Sequence, residues 1–410
     1  MASGSIVIVG AGQAGLQAAV SLREAGYAGS ITIVGDEPGL PYQRPPLSKA
    51  FLLGKIPAAG LDLRGPDFLA AQRIDLVERD PALVIDRTDR SVRLASGRVL
   101  GYDHLVLATG ARRRELAVPG SALPGIHYLR TRADAEALKE KLAGARQALV
   151  IGAGFIGLEF AAVAAGRGLA CTVVEAAPTL LSRAVSRVTA EHIRHTHEER
   201  GARFMFGTGI DRFEAGPDGN VGAAVTSTGE TLSADLVLVG IGVIANDDLA
   251  AAAGLAVNNG IAVDATLRTS DPAIFAIGDC ALAPHPQAAQ PLRIESVQNA
   301  IDQGRHLARI LMGANEPYAA LPWFWSDQGT VKLQIAGLTG GHDRTVLKGD
   351  PVSGRFSAFC YRGDTLLGVE SINRPADHMA ARRFVGTTLA PAAEDVSDES
   401  LDAKAGATAA

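Results

Sequence analysis

Cysteine is scarce in this sequence. Its 410 residues include only three cysteines, Cys171, Cys280 and Cys360, which lie far apart. No Cys-x-x-Cys pair occurs, and this excludes a zinc ribbon or a redox-active dithiol of that form. A framework of disulfides is also disfavoured, so the sequence predicts a protein of a reducing compartment.

Long apolar runs and an excess of positive charge are also lacking. No stretch reaches about 18 uncharged apolar residues, the length that a membrane-spanning helix needs. Residues 1–10 show no charged region followed by an apolar segment of signal-peptide length. The net charge of −5 does not favour nucleic acid or an anionic membrane as a partner. We therefore expect a soluble cytoplasmic protein that binds neither nucleic acid nor membrane.

Glycine and apolar residues, in contrast, are abundant. The chain contains 46 glycines and is 47% hydrophobic, a globular composition with many turns. Its length predicts two or three domains.

A strand–turn–helix pattern opens the chain. Residues 6–9 form a short apolar run, and Gly10, Gly12 and Gly15 follow in G-x-G-x-x-G spacing before a helical pattern. In such a turn one glycine permits the bend, one lets the backbone approach a pyrophosphate, and one lets helix and strand pack closely. Asp36 follows about twenty residues later, where a carboxylate binds a ribose hydroxyl. This stretch predicts a dinucleotide site.

The same pattern recurs in the middle of the chain. An apolar strand at 148–151 precedes three glycines, at positions 152, 154 and 157, and a helix that begins near Phe155. Glu175 ends the next strand and favours NADH, because its carboxylate would repel the 2′-phosphate of NADPH. Arg183, farther on, keeps NADPH open as an alternative. Two such motifs predict two nucleotide cofactors in one chain.

Other residues fall where ligands bind at the edge of a parallel sheet. The stiff, proline-rich loop 41–49 would present Arg44 and Lys49 near a cofactor, although a solvated connector is the alternative. Apolar strands end at Gly110 and at Asp279, which is either a ligand residue or a turn residue. A helix is predicted over 296–312, with Ser296 as its N-cap.

Three histidines, His192, His195 and His197, crowd one helical stretch among charged residues. A charged, solvated helix face is the commoner meaning of this pattern, and His197 points away from the other two. We predict no metal site.

Several motifs together resemble the FAD-dependent NADH:ferredoxin reductases of bacterial oxygenase systems, which include putidaredoxin reductase and the reductases of aromatic-ring dioxygenases. The resemblance covers nearly the whole chain. Its most specific parts are the loop PYQRPPLSK and the segments RIESVQNA and PWFWSDQ, which begin at residues 41, 293 and 322.

The resemblance implies an α/β fold with two Rossmann-like dinucleotide-binding domains in a glutathione-reductase-like layout, plus a C-terminal α+β domain. The implied boundaries are 1–112 with 243–318 for FAD, 113–242 for NADH and 319–390 for the last domain. A flexible tail is expected over 391–410.

The resemblance also assigns residues to each cofactor. Lys49 and Glu159 would lie beside the isoalloxazine where the nicotinamide stacks, with Glu159 as the partner of Lys49 and an ordinary salt bridge as the alternative. Trp325 would lie near the flavin on the acceptor side, with packing in a core as the alternative. The positions expected to bind FAD are Gly10, Gly12, Ala14, Gly15, Asp36, Arg44, Lys49, Ala82, Gly110, Arg130, Asp279 and Val297. Those expected to bind NADH are Gly152, Gly154, Ile156, Gly157, Glu159, Glu175 and Arg183.

The cysteine positions bear on where electrons go. Disulfide reductases of similar layout carry a Cys-x4-Cys pair soon after the acidic ribose residue, whereas residues 36–60 of this chain contain no cysteine. Electrons are therefore expected to leave for an external one-electron carrier, an iron–sulfur ferredoxin. Arg305 and Arg309, on one helical face, are candidates for docking it, and a merely solvated face is the alternative.

Two other functions stay open at this point. A rubredoxin reductase is poorly separated from a ferredoxin reductase by sequence. A redox-sensing protein resembling apoptosis-inducing factor would want a targeting segment, an anchor or a long insertion in the last domain, and none is visible.

Overall fold

The computed structural model describes residues 4–396, which form two compact units. Among these residues, the first unit contains 4–43, 58–112 and 243–322, and the second contains 44–57, 113–242 and 323–396. Strands and helices are numbered below in chain order. This division is coarser than the predicted domains, whose boundaries stay a prediction.

A five-stranded parallel sheet forms the centre of the first unit. Its order is β19-β7-β1-β2-β3, so the chain starts in the middle and extends to both edges. The bounds are β1 Ser5–Val9, β2 Ser30–Val34, β3 Ile74–Val77, β7 His104–Leu107 and β19 Ile274–Ala276.

Both faces of this sheet are buried. Ile6 and Ile8 face one core, beneath the helices, while Val7 and Val9 face a second core beneath a small antiparallel sheet. Alternating side chains covered on both sides explain why β1 is apolar from Ile6 to Val9. The covering elements are α1 Gln13–Glu24, α2 Pro66–Ala71, α7 Val297–Leu311, β4 Ala82–Asp86, β5 Ser91–Leu94 and β6 Val99–Gly101.

The sequence interpretation misplaced one strand of this unit. Residues 74–77 open a series of short apolar runs over 74–107, a pattern that predicts a small antiparallel segment, but β3 pairs in parallel with β2 at the edge of the main sheet. A short apolar run carries no information about its partner, so periodicity could not decide between them.

The second unit repeats the parallel architecture. Its sheet has the order β12-β11-β10-β16-β9, again with the glycine-loop strand in the centre. The bounds are β9 Ile126–Tyr128, β10 Gln147–Ile151, β11 Ala170–Glu175, β12 Ala202–Phe206, β16 Leu236–Val239, α3 Arg132–Leu142, α4 Phe155–Gly166 and α5 Arg187–Glu198.

A five-stranded antiparallel sheet completes the second unit, in the order β21-β22-β25-β24-β23. Apolar runs at 332–335, 345–347, 356–361 and 365–369 predict four of these strands, but the sequence pattern predicts neither the first strand nor the helix α8 that follows the last one. The bounds are β21 Trp323–Gln328, β22 Val331–Gly337, β23 Arg344–Asp350, β24 Arg355–Arg362, β25 Thr365–Ile372 and α8 Pro375–Phe384.

The start of the predicted tail is packed. The hydroxyl of Tyr361 donates to the carbonyl of Pro391 over 3.0 Å, and Val396 is fully buried. Residues 391–396 therefore belong to the folded unit, because their sequence supplies an apolar anchor among the polar residues. The rest of that predicted tail, 397–410, lies outside the described residues.

The remaining elements lie outside the three five-stranded sheets. They are β8 Ala111–Arg113, β13 Ile210–Ala215, β14 Val221–Thr226, β15 Thr231–Ser233, β17 Val243–Ala245, β18 Ile261–Ala262, β20 Ala281–Leu282 and α6 Asp248–Ala252, with single 3-10 turns at Pro45–Ser48, Ala58–Leu61, Gly278–Cys280 and Ala393–Asp395. Between residues 4 and 396, no helix combines the length and apolar character needed to cross a bilayer.

Candidate functional site

The glycine loop of the first unit divides its glycines by role. A Cβ at Gly10, where φ is +123°, would lie 2.0 Å from the carbonyl oxygen of Ala108, and one at Gly15 would lie 2.1 Å from the carbonyl oxygen of Gly10. These two glycines are therefore required by the fold. A Cβ at Gly12 would meet no protein atom within 4 Å. Packing does not explain this glycine, whereas a dinucleotide pyrophosphate close to the backbone would.

Two other predicted residues lie at the same edge of the first unit. A Cβ at Gly278 would lie 3.0 Å from the Cβ of Ala14, so the turn that carries Asp279 rests on the first turn of α1. The backbone N–H of Gly278 donates to Gln303 Oε1 on α7 over 2.7 Å. The structure thus brings Asp279 together with the glycine loop and α7.

Helix α7 begins as the sequence predicts. The side chain of Ser296 accepts a hydrogen bond from the N–H of Asn299 at 3.1 Å, which confirms its role as the N-cap. Val297 is the first helical residue, so its backbone N–H is one of those that lack a partner within the helix.

The other residues assigned to FAD in this unit are more scattered. Asp36 is exposed just beyond β2, and the neighbouring Glu37 carboxylate accepts a hydrogen bond from Tyr42. Gly110 follows β7 with φ of +66°, and its carbonyl accepts the N–H of Asn246. Ala82 starts β4 and packs on the core beneath the antiparallel sheet.

The second unit builds the same loop again. A Cβ at Gly157 would lie 2.1 Å from the carbonyl oxygen of Gly152, which repeats the clash at the third glycine of the first loop. A Cβ at Gly154 would meet protein only at 4.0 Å, at the carbonyl oxygen of Gly240. Each loop therefore leaves its middle glycine open, at the start of a helix with no side-chain cap. These residues fit a dinucleotide in each unit.

Glu175 lies against this second loop. Its Oε2 accepts the N–H of Ala153 over 2.7 Å, and its Oε1 accepts the N–H of Ala177 over 2.8 Å. The carboxylate is thus fixed beside the glycines, where a ribose would lie. Ile156 is half-buried in the first turn of α4, and Arg183 is exposed beyond β11.

Lys49 and Glu159 form a mostly buried ion pair in the second unit. Lys49 Nζ lies 2.7 Å from Glu159 Oε2, and the two side chains are 18% and 5% exposed. The Ser48 hydroxyl also donates to Oε2, and the Ser326 hydroxyl donates to Oε1 over 2.7 Å. One ammonium and two hydroxyls thus hold the carboxylate in place, and the two residues that the resemblance assigns to one site lie together.

The proline-rich loop is anchored within this unit. Arg44 Nη1 donates to the carbonyl of Arg130 over 2.7 Å, and the N–H of Arg130 donates to Asp134 Oδ2 over 3.0 Å. Asp134 is also the acceptor of the capping box of α3, with Thr131. Arg44 and Arg130 therefore lie together at the start of that helix.

A buried polar chain beyond Glu159 escaped the sequence interpretation. Gln328 Nε2 donates to Ser326 Oγ over 3.2 Å, and Gln328 Oε1 lies 3.0 Å from His197 Nε2. The missed strand β21 supplies Ser326 and Gln328, and their i, i+2 spacing was the available signal.

Trp325 lies on the opposite face of β21 from Ser326, because successive side chains of a strand alternate. Its ring is 5.7 Å from that of Trp323, and it lines an open cavity of about 1110 Å³ together with His192, His195 and Lys332. The structure therefore does not bring Trp325 onto the face that contacts Glu159. Its assignment near a flavin stays a prediction.

All three thiols are buried and unpaired. Burial raises the pKa of Cys171 to about 12, and burial likewise raises the pKa of Cys280 and of Cys360, where Glu370 adds to the effect. None of them is a thiolate at neutral pH, so a thiol relay lacks its nucleophile.

Arg305 and Arg309 do lie one turn apart on α7, and both side chains are more than 60% exposed. Each has an acidic neighbour, Asp302 at 3.7 Å and Glu316 at 3.5 Å. The patch is therefore less basic than the sequence suggests. Within residues 4–396, no three His, Cys, Asp or Glu side chains cluster as metal ligands would.

Two parallel sheets with matching glycine loops, followed by an antiparallel domain, define a class of pyridine-nucleotide oxidoreductase. The chain belongs to the pyridine nucleotide-disulphide oxidoreductase family, whose model matches residues 4–304, and a reductase C-terminal model matches 323–407. This confirms the predicted fold class.

Individual relatives are more specific than the family as a whole. Rhodocoxin reductase of Rhodococcus erythropolis is 50% identical over 400 residues, which are 98% of this chain and 93% of that protein. The crystal structure of a ferredoxin reductase for the CYP199A2 system from Rhodopseudomonas palustris matches with a TM-score of 0.96 at 46% identity, covering 99% of this chain and all of that one.

A covalent putidaredoxin reductase–putidaredoxin complex matches with a TM-score of 0.94 at 40% identity, over 98% of this chain and 99% of that one. Rubredoxin-NAD(+) reductase of Pseudomonas putida is 38% identical over 90% of this chain and 96% of that protein. The resemblance seen in the sequence is confirmed.

Proposed function

We propose that the protein is an NADH-dependent ferredoxin reductase that contains FAD and supplies electrons to a monooxygenase or a ring-hydroxylating dioxygenase. FAD accepts a hydride and releases electrons singly, chemistry that side chains do not supply. The names of the relatives, rhodocoxin reductase and putidaredoxin reductase among them, support a small redox protein as the acceptor.

The observation that carries the proposal is the open middle glycine in both loops. Gly12 and Gly154 have no protein neighbour that a Cβ would strike closely, although the flanking glycines do. We assign the first loop, with Ala14, Asp36 and Asp279, to FAD. The second loop, with Ile156 and Glu175, is assigned to NADH.

The ion pair supplies the charge for hydride transfer in this proposal. The Lys49 ammonium would stabilise the negative charge that arrives with the hydride, and Glu159 would balance the ammonium beforehand. A pre-oriented pair needs little reorganisation when the charge moves. We keep Arg44, Ala82, Gly110, Arg130, Val297, Arg183 and Trp325 as proposed ligand or electron-transfer positions, which the resemblance alone supports.

The acceptor is proposed as an iron–sulfur ferredoxin, with rubredoxin as the second candidate because a rubredoxin reductase is among the relatives. The buried, protonated thiols support direct transfer to an external carrier. We also propose a cytoplasmic location, since three unpaired cysteines fit a reducing compartment.

Stopped-flow mixing of the FAD-loaded protein with NADH, under argon, tests the proposal. We expect rapid loss of flavin absorbance, and then reduction of cytochrome c that requires an added two-iron ferredoxin. Turnover with rubredoxin instead would replace the proposed acceptor. A long-lived complex that neither carrier reoxidises would favour a redox sensor, and no bleaching by NADH would contradict the proposal itself.

A further inference from the structure

We propose that His197, Gln328 and Ser326 are positioning residues that hold the Glu159 carboxylate, and through it Lys49, for hydride transfer. This inference rests on the proposed function, because it takes the Lys49–Glu159 pair as part of the reacting site. It adds a buried chain of hydrogen bonds that ends at α5, in the second unit.

All hydrogen bonds of this buried chain run in one direction, from His197 to Glu159. Ser326 Oγ donates to Glu159 Oε1 over 2.7 Å, and Gln328 Nε2 donates to Ser326 Oγ over 3.2 Å. Since the amide nitrogen of Gln328 points to Ser326, its Oε1 faces His197 Nε2 at 3.0 Å. The histidine must therefore carry its proton on Nε2 and donate it. Every donor points toward the carboxylate.

The chain is closed to solvent. Glu159 is 4% exposed, Ser326 fully buried, Gln328 1% and His197 2%. Water cannot easily replace a lost partner at such a depth, so removing one member leaves the others with unmet hydrogen bonds. Ser326 and Gln328 each accept one hydrogen bond and donate the next, so the bonds polarise one another.

His197 is suited to a neutral role. Its Nδ1 is buried without a hydrogen-bond partner, and protonation would turn this unpartnered acceptor into an unpartnered donor that carries charge. Burial lowers the pKa of His197, although the Gln328 hydrogen bond raises it, and the charge of Arg200 lowers it further. The residue therefore donates a hydrogen bond without adding charge beside Glu159.

Neighbouring contacts fix the His197 end of the hydrogen-bond chain. Arg200 Nη2 donates to Thr330 Oγ1 over 2.5 Å, which ties the end of α5 to the turn after β21. The ring of Phe204 meets the His197 ring edge-on at 6.1 Å. At the near end, Oε1 of Glu159 is held by Ser326 and Oε2 by Lys49 and Ser48. The carboxylate is thereby held on both oxygens.

The test is a double-mutant cycle between Gln328→Leu and Glu159→Gln in the FAD-loaded protein. The rate of flavin reduction by NADH and the midpoint potential of the flavin are measured for all four proteins. We expect Gln328→Leu to slow reduction roughly threefold to tenfold, the effect of about one lost hydrogen bond. It should also raise the potential, because a displaced carboxylate leaves the Lys49 ammonium less balanced.

The coupling between the two substitutions shows whether the inference holds. If the chain acts through Glu159, Gln328→Leu adds nothing to either readout once Glu159→Gln is present. Additive effects, or an unchanged potential, would overturn the inference, because a purely structural role moves stability and leaves the potential alone.

Two substitutions of His197 give a second test that disturbs the packing less. His197→Phe keeps the ring volume and loses the donor, so it should reproduce Gln328→Leu. His197→Gln places an amide N–H near the position of Nε2 and should restore most of the rate and the potential. The matched control is His195→Phe on the same helix, where the side chain is 69% exposed and pairs with Glu199.

The two proposals fail differently. If NADH does not reduce the wild-type protein, the proposed function is contradicted. The midpoint potential of the flavin can still be measured with redox dyes in the absence of NADH, and it would still test the hydrogen-bond chain. A different outcome would overturn only the role of the hydrogen-bond chain. In that outcome NADH reduces the wild type, Glu159→Gln changes the rate or the potential, and His197→Phe gives the same rate and potential as His195→Phe. If Gln328→Leu fails to fold, the comparison of His197→Phe with His197→Gln tests the inference instead.

Discussion

At the scale of residues, Glu175 combines two tasks. Its oxygens accept the N–H groups of Ala153 and Ala177, and each oxygen retains a further lone pair for a ribose hydroxyl. A 2′-phosphate would place like charge against it. The carboxylate thus stabilises the loop, and in the proposed function it also selects the cofactor.

Glu175→Gln should therefore relax the preference for NADH. We expect the ratio of kcat/KM for NADH over NADPH to fall by about tenfold to a hundredfold, since a hydrogen bond to a charged group contributes about 1.5–3 kcal/mol and repulsion is removed as well. Steady-state kinetics with both nucleotides measure this. Glu191→Gln, on the exposed side of α5, is the control, and an unchanged ratio would mean that another residue selects the cofactor.

At the scale of elements, the glycine loop separates folding from binding. Gly12 is the N-cap of α1 with extended backbone angles that any residue adopts, and a side chain there meets no protein within 4 Å. Gly65, the N-cap of α2, shares both properties and lies away from the loop. The two positions form a matched pair.

We expect Gly12→Val to fold but to be purified with little FAD, whereas Gly65→Val should retain the cofactor. Both changes lose a good cap, at about 1 kcal/mol each, so thermal unfolding of the two apoproteins should agree. The ratio of flavin absorbance to protein absorbance gives the cofactor content. Equal flavin content in both variants would remove Gly12 from the FAD site.

Elements with strong local signals were predictable. Both glycine-loop units, and the capped helix α7, follow from spacing and caps that act within a few residues. Strand β21 was missed because aromatic side chains occupy both of its faces: the Phe324 ring lies 4.4 Å from that of Phe155, and the Trp323 ring lies 5.8 Å from that of His378. Its sequence therefore lacks the alternation that marks a half-buried strand.

The candidate site divides in the same way. Lys49 and Glu159 were paired through family resemblance, because no local rule joins residues 110 positions apart. Ser326, Gln328 and His197 were out of reach, since their link depends on how β21 packs against α4 and α5. Side chains joined by tertiary packing leave only weak traces in a single sequence.

At the scale of the whole molecule, the net charge of −5 would oppose an acidic ferredoxin unless basic groups act locally. Arg305 and Arg309 are exposed on α7, but Asp302 and Glu316 compensate them in part. Their contribution should therefore be a modest one, mainly to the rate of encounter.

The double variant Arg305→Glu, Arg309→Glu should raise the KM for a two-iron ferredoxin about tenfold at low ionic strength, and the effect should fade as salt is added. Ferricyanide reduction by NADH should not change, because it does not depend on docking. Arg212→Glu, an exposed change on β13, serves as the control. A KM that does not depend on salt would place docking elsewhere.

The buried thiols have a practical consequence for attaching the molecule to surfaces. Because all three cysteines are shielded and protonated, maleimides should leave the native chain largely unlabelled. A single cysteine introduced at Val352, which is 95% exposed, would then be the one fast-reacting handle. The protein could be tethered to an electrode in one orientation without first removing any of its own cysteines.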